Sequence, residues 1–138
     1  MNPNASRNFI VRNAFLCAAA IAITSCGTAT VHKTGSDARI ESLRSFQLAF
    51  IDQFAVPGKR FNAAAFEAKV NEGNAKFQQA IAEEKFTARR PVLQDLATQF
   101  KADAEHLRSK ASRGKVTPAL ATEMKKDTNK IYDHALGR

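Results

Sequence analysis

The chain has 138 residues, with no Trp, one Tyr, two Cys, two Met and six scattered Gly. Acidic residues are also missing from the start: none precedes Asp37. β-Branched residues are few beside Ala and straight-chain types, which favours helix over strand. No segment alternates apolar and polar residues over a convincing strand length. The scattered glycines make no phosphate-cradling loop and no Gly-x-Ser-x-Gly elbow, so neither nucleotide binding nor serine hydrolysis is indicated. No apolar run approaches the roughly 20 residues that a spanning helix needs.

What is present begins with charge and order at the N-terminus. Arg7 and Arg12 form a positive region, followed by about ten apolar residues from Ala14 to Ile23. This layout is that of a secretory signal. It closes on Ile23-Thr24-Ser25-Cys26-Gly27. That sequence resembles the lipobox of bacterial lipoproteins, with an aliphatic residue three before the Cys and small or polar residues between. The resemblance implies that Ile23, Thr24 and Ser25 are recognised by signal peptidase II. It implies that residues 1–25 are removed and that Cys26 is acylated. Gly27 stands where an Asp would signal inner-membrane retention in many enterobacteria, so the resemblance places the protein at the outer membrane, facing the periplasm. Cys17 would leave with the signal and Cys26 would be consumed as a thioether, leaving no thiol for a disulfide or a Cys metal site.

The segment after Cys26 holds 19 basic and 13 acidic residues, a charge of +6. Residues 26–35 are small and polar, and read as a flexible tether between lipid and fold. Residues 36–138 carry four helical patterns. The first is expected from Asp37 to Ala55, capped by Ser36, with Ile40, Leu43, Phe46, Phe50, Ile51 and Phe54 on one face. The second opens at Asn62, where Phe61 and Phe66 match a hydrophobic staple. Its stripe is Phe66, Val70, Gly73, Phe77 and Ile81, and the polar run Asn71–Asn74 leaves open one helix or two. The third is expected from Ala88 to Arg113, capped by Thr87 and stopped by Gly114. The fourth opens with Thr117 and Pro118, with Leu120, Met124, Ile131 and Ala135 inward. Four amphipathic helices with short connections predict an all-α domain, an up-down-up-down antiparallel four-helix bundle following the cleaved signal helix.

Chemistry in the bundle is sparse. Asp103-Ala-Glu105-His106 is an Asp-x-x-His that occurs once, whereas di-iron bundles use Glu-x-x-His twice. Met124 with His106 or His134 makes only a weak haem pair. Glu83 and Glu84 lie beside Lys85 and read as polar surface. No catalytic, metal or cofactor residues are assigned. Arg108, Lys110, Arg113 and Lys115, with Lys125 and Lys126, make the corner between the third and fourth helices basic. That corner is the candidate for contact with an anionic lipid surface, and export argues against nucleic acid as its partner. The expectation is a non-enzymatic envelope lipoprotein, held to the membrane through lipid on Cys26 and presenting its helices to an envelope protein or anionic lipid. The alternative is a helical carrier for a small apolar or haem-like ligand, with room for it left by Gly73 among the phenylalanines.

Overall fold

A computed structural model describes residues 33–138. The expected signal segment, Cys26 and the expected tether up to residue 32 lie outside the described residues.

Helix α1 spans Lys33–Phe54. It starts four residues before the expected Asp37, so residues 33–35 belong to the helix and not to the tether. Ser36 is not its cap. Its side chain is buried, and the hydroxyl donates to Glu84 Oε2 at 2.6 Å. A partner 48 residues away wins this hydroxyl over a local capping role, and sequence spacing cannot show such a partner. Beyond Ala55, the turn at Val56-Pro57-Gly58 closes with Gly58 at φ 72°, in the left-handed region that favours glycine.

Helix α2 spans Ala63–Glu83 without a break. The Ala65 N–H donates to Asn62 Oδ1 at 3.0 Å, and the Phe61 and Phe66 rings lie 5.3 Å apart, so both cap and staple form. A 3₁₀ turn at Thr87–Arg89 leads into α3, Arg90–Ala111, two residues later than expected. Pro91 falls in its first turn, where no helical N–H bond is lost. At the far end Lys115 N–H donates to Lys110 O at 2.9 Å and Gly114 N–H to Ala111 O at 3.1 Å. This is a Schellman closure around Gly114, φ 64°. Helix α4 spans Pro118–Leu136, and the Leu120 N–H donates to Thr117 Oγ1 at 3.1 Å.

Cross-helix pairs fix the topology. Phe50 meets Phe66 while Ser36 meets Glu84, so α1 and α2 are antiparallel. Glu67 pairs with Arg108 near one end of α2 and Phe77 stacks on Phe100 further along, so α3 runs back along α2. Asp52 pairs with Lys125 and Glu41 with Arg138, so α4 runs back along α1. The described residues form an up-down-up-down antiparallel four-helix bundle, and the all-α fold class stands.

The core follows the expected stripes in α1, α2 and α3. Ile40, Leu43, Phe50, Ile51, Phe66, Phe77, Leu93, Leu96, Phe100 and Leu107 are buried. Seven phenylalanines, 46, 50, 54, 61, 66, 77 and 100, form one continuous ring cluster at centroid spacings of 5.0–5.9 Å. Each such pair adds about 0.5–1.5 kcal/mol beyond the area it buries. In α4 the inward face is rotated from expectation. Met124, Thr128, Tyr132 and Leu136 are buried, while Leu120, Ile131 and Ala135 are half-buried. The reason is polar: Tyr132 donates to Gln47 Oε1 at 3.0 Å inside the core, so a phenol can be buried without losing its hydrogen bond.

Candidate functional site

The bundle has two ends of different character. The chain enters α1 at one end, where α2 stops, α3 starts and α4 finishes. The opposite end carries the α1–α2 loop and the α3–α4 loop. With 22 residues in α1, the ends lie about 33 Å apart at 1.5 Å per residue.

Of the six expected surface cations, the structure withdraws two. Arg108 Nη2 lies 2.7 Å from Glu67 Oε1, and its Nη1 lies 2.8 Å from Glu105. Its guanidinium also sits 5.6 Å from the Phe66 ring centre. It is neutralised and ties α3 to α2. Lys125 Nζ lies 2.8 Å from Asp52 Oδ1, so its charge is answered by α1. Lys126 is exposed on α4, away from the loops. Lys110, Arg113 and Lys115 remain at the loop end with no carboxylate partner among the described residues, Lys110 half-buried and Arg113 and Lys115 exposed on either side of Gly114.

Two further cations join them. Lys59 and Arg60, in the α1–α2 loop, line a groove of about 140 Å³ with Phe54, Phe61, Ala111 and Val116. The groove therefore brings the two loops together. Sequence reasoning missed Lys59 and Arg60 because they lie some 50 residues from the basic run. A signal was present: residues 53–66 and 106–122 contain no Asp or Glu. Five cations thus share one end of the molecule with no acid among their loops. Val56, 36% exposed, stands beside them with Pro57.

The other candidate chemistry resolves into structure. Asp103 accepts from Gln47 Nε2 at 2.8 Å and from Gln99 Nε2 at 2.9 Å. It therefore ends a Tyr132–Gln47–Asp103 chain that runs from the buried Tyr132 and Gln47 to the half-buried Asp103. Among the described residues no group of three or more His, Cys, Asp or Glu is placed to hold a metal ion. Burial pushes the Tyr132 phenol far above its ordinary value, and the Asp103 charge adds to this while Arg44 opposes it.

Glu84 corrects the surface reading of Glu83-Glu84: it is 1% exposed. Its carboxylate takes Ser36 Oγ at 2.6 Å, Phe86 N–H at 3.0 Å and Arg39 Nη1 at 3.3 Å. Arg90 Nε donates to its backbone carbonyl at 2.9 Å. Burial alone would raise its pKa, but these hydrogen bonds and the Arg39 and Arg89 charges outweigh burial and hold it below the ordinary value. The cluster locks α1 and the α2–α3 connection at the chain-entry end.

The space expected at Gly73 is also filled. A Cβ placed there would lie 2.8 Å from Phe46 Cε1 and closer still to the Phe100 ring. Gly73 is a seat for Phe100, and the void on which the carrier reading rested is occupied by that ring.

Comparison of the chain with protein-family models, with curated proteins and with solved structures finds no match.

Proposed function

We propose that this protein is a lipid-anchored component of the bacterial envelope whose helical bundle acts as a non-enzymatic interaction module. The observation that carries the reading is the N-terminal order of Arg7 and Arg12, a short apolar run, and Ile23-Thr24-Ser25-Cys26. In this reading residues 1–25 are a cleaved signal, Cys26 carries the acyl chains, and Gly27 directs the protein to the outer membrane. No described helix is long and apolar enough to cross a membrane. Two or three acyl chains are sufficient, at about 0.8 kcal/mol per buried CH₂. The interaction role is supported by how the bundle spends its polar groups. Asp103, Gln47, Tyr132 and Glu84 are committed to holding helices together, while Lys59, Arg60, Arg113 and Lys115 stand exposed in the two loops at one end.

Intact mass of the protein from bacterial membranes, beside Cys26→Ala, tests the anchor. A species beginning at Cys26 with added acyl mass, lost in the variant, is the expected result. A chain cut elsewhere or left unmodified would overturn the reading.

A further inference from the structure

We propose that the loop end of the bundle, opposite the chain-entry end, is a docking surface for an anionic phospholipid bilayer. The inference deepens the envelope reading and rests on it for the identity of the membrane. Lys59 and Arg60 from the α1–α2 loop and Arg113 and Lys115 from the α3–α4 loop lie at this end with Lys110 in the last turn of α3, and residues 53–66 and 106–122 contain no acid. The exposed Val56 and Pro57 sit among them. Cations around a small apolar tip suit a bilayer interface, where head-group phosphates meet the charges and the acyl boundary takes the apolar residues. A polyanionic glycan would use the charges and leave Val56 without a role. Both loops are held in shape, by Gly58 and Gly114 in left-handed turns and by the Schellman closure, so the cations need little ordering on contact.

The geometry adds an orientation. Residues 27–32 can span at most about 20 Å when fully extended, less than the roughly 33 Å length of α1. A chain anchored at Cys26 reaches the same bilayer with its loop end only when its helix axes are tilted well over toward the surface. On a neutral bilayer the cations find no partner, and Val56 and Pro57 alone are too small an apolar contact to hold the loop end there.

Because the chain has no Trp, Val56→Trp gives a single emitter at the tip. The full chain is reconstituted into vesicles of phosphatidylcholine, and of phosphatidylcholine with phosphatidylglycerol. The expected result is a blue-shifted emission, quenched by brominated lipid, in the anionic vesicles only and reversed by high salt. Each cation removed should weaken docking about fivefold, so changing Lys59, Arg60, Arg113 and Lys115 together to Gln should weaken it roughly 600-fold. Circular dichroism of that variant checks that the bundle stays folded. Identical emission in both lipids overturns the proposal, as does a shift that survives salt and charge removal. A shift on insoluble peptidoglycan but not on anionic vesicles overturns it in favour of a glycan partner. Acyl mass is read on the same preparation. An unacylated chain that still responds to lipid charge keeps the docking surface and overturns the anchor, whereas an acylated chain with no response does the reverse.

Discussion

The ring of Phe100, from α3, fills the space that a side chain at Gly73 of α2 would take. A Cβ at residue 73 would overlap that ring and press on Phe46 as well. The two helices approach closely here because one of them presents only backbone. Phe77 stacks on the same ring at 5.3 Å, and Phe50 meets its edge at 5.4 Å, so the ring has nowhere to retreat.

Gly73→Ala therefore sets two effects against each other. Ala gains about 1 kcal/mol of helix propensity over Gly. Overpacking a filled core costs about 1–3 kcal/mol, and here it meets aromatic carbons fixed on two sides. The expected net is a loss of about 1–2 kcal/mol, read as a lowered midpoint in urea. Combined with Phe100→Leu, the two changes should be clearly non-additive. A stabilised Gly73→Ala protein would show that the ring can move.

Glu84 should give the protein an acid-sensitive stability. Its folded-state pKa is lowered, so its contribution is complete above the ordinary value of 4.5 and is lost as pH falls through the lowered value. Glu84→Gln should cost about 2 kcal/mol at neutral pH, in the range of a hydrogen bond to a charged group. It should also flatten the acid limb of a Tm-against-pH curve. A variant whose acid limb matches that of the unsubstituted protein would remove Glu84 from this role.

Tyr132→Phe removes the donor to Gln47 and leaves a buried amide oxygen short of a partner, at a cost of about 1–2 kcal/mol. The raised phenol pKa means that the stability due to the neutral form holds below the ordinary value of 10 and is lost as pH rises above it. Absorbance at alkaline pH should show phenolate only as the bundle unfolds. Phenolate forming with near-ordinary titration in a folded bundle would contradict the burial.

Arg108 and Arg113 lie five residues apart in one basic run and should behave differently. Arg108→Ala breaks pairs to Glu67 and Glu105 and uncovers Phe66, so thermal stability should drop by about 1 kcal/mol. Arg113→Ala should leave the melting temperature in place, because that side chain is in solvent with no ion pair. Equal melting shifts for the two would dissolve the division between structural and free cations.

Local signals carried most of the architecture. Asn62, Thr117 with Pro118, Gly114 and the Phe61–Phe66 staple act within one or two turns, so spacing alone locates them. The stripes of α1, α2 and α3 are dense enough in Phe and Leu to leave one choice of inward face. The start of α1 and the inward face of α4 were not legible, for one shared reason. Ser36 and Tyr132 are buried by partners 48 and 85 residues away.

The candidate site divides along the same line. The sequence by itself determined the helical class and the surplus of positive charge, because these depend on composition and near neighbours. Tertiary structure alone decided which charges remain free. It gave Arg108 and Lys125 carboxylate partners from other helices, and brought Lys59 and Arg60 into one groove with Ala111 and Val116. Pairing and convergence of side chains depend on distances in space, and the order of residues along a chain does not contain those distances until the helices have packed.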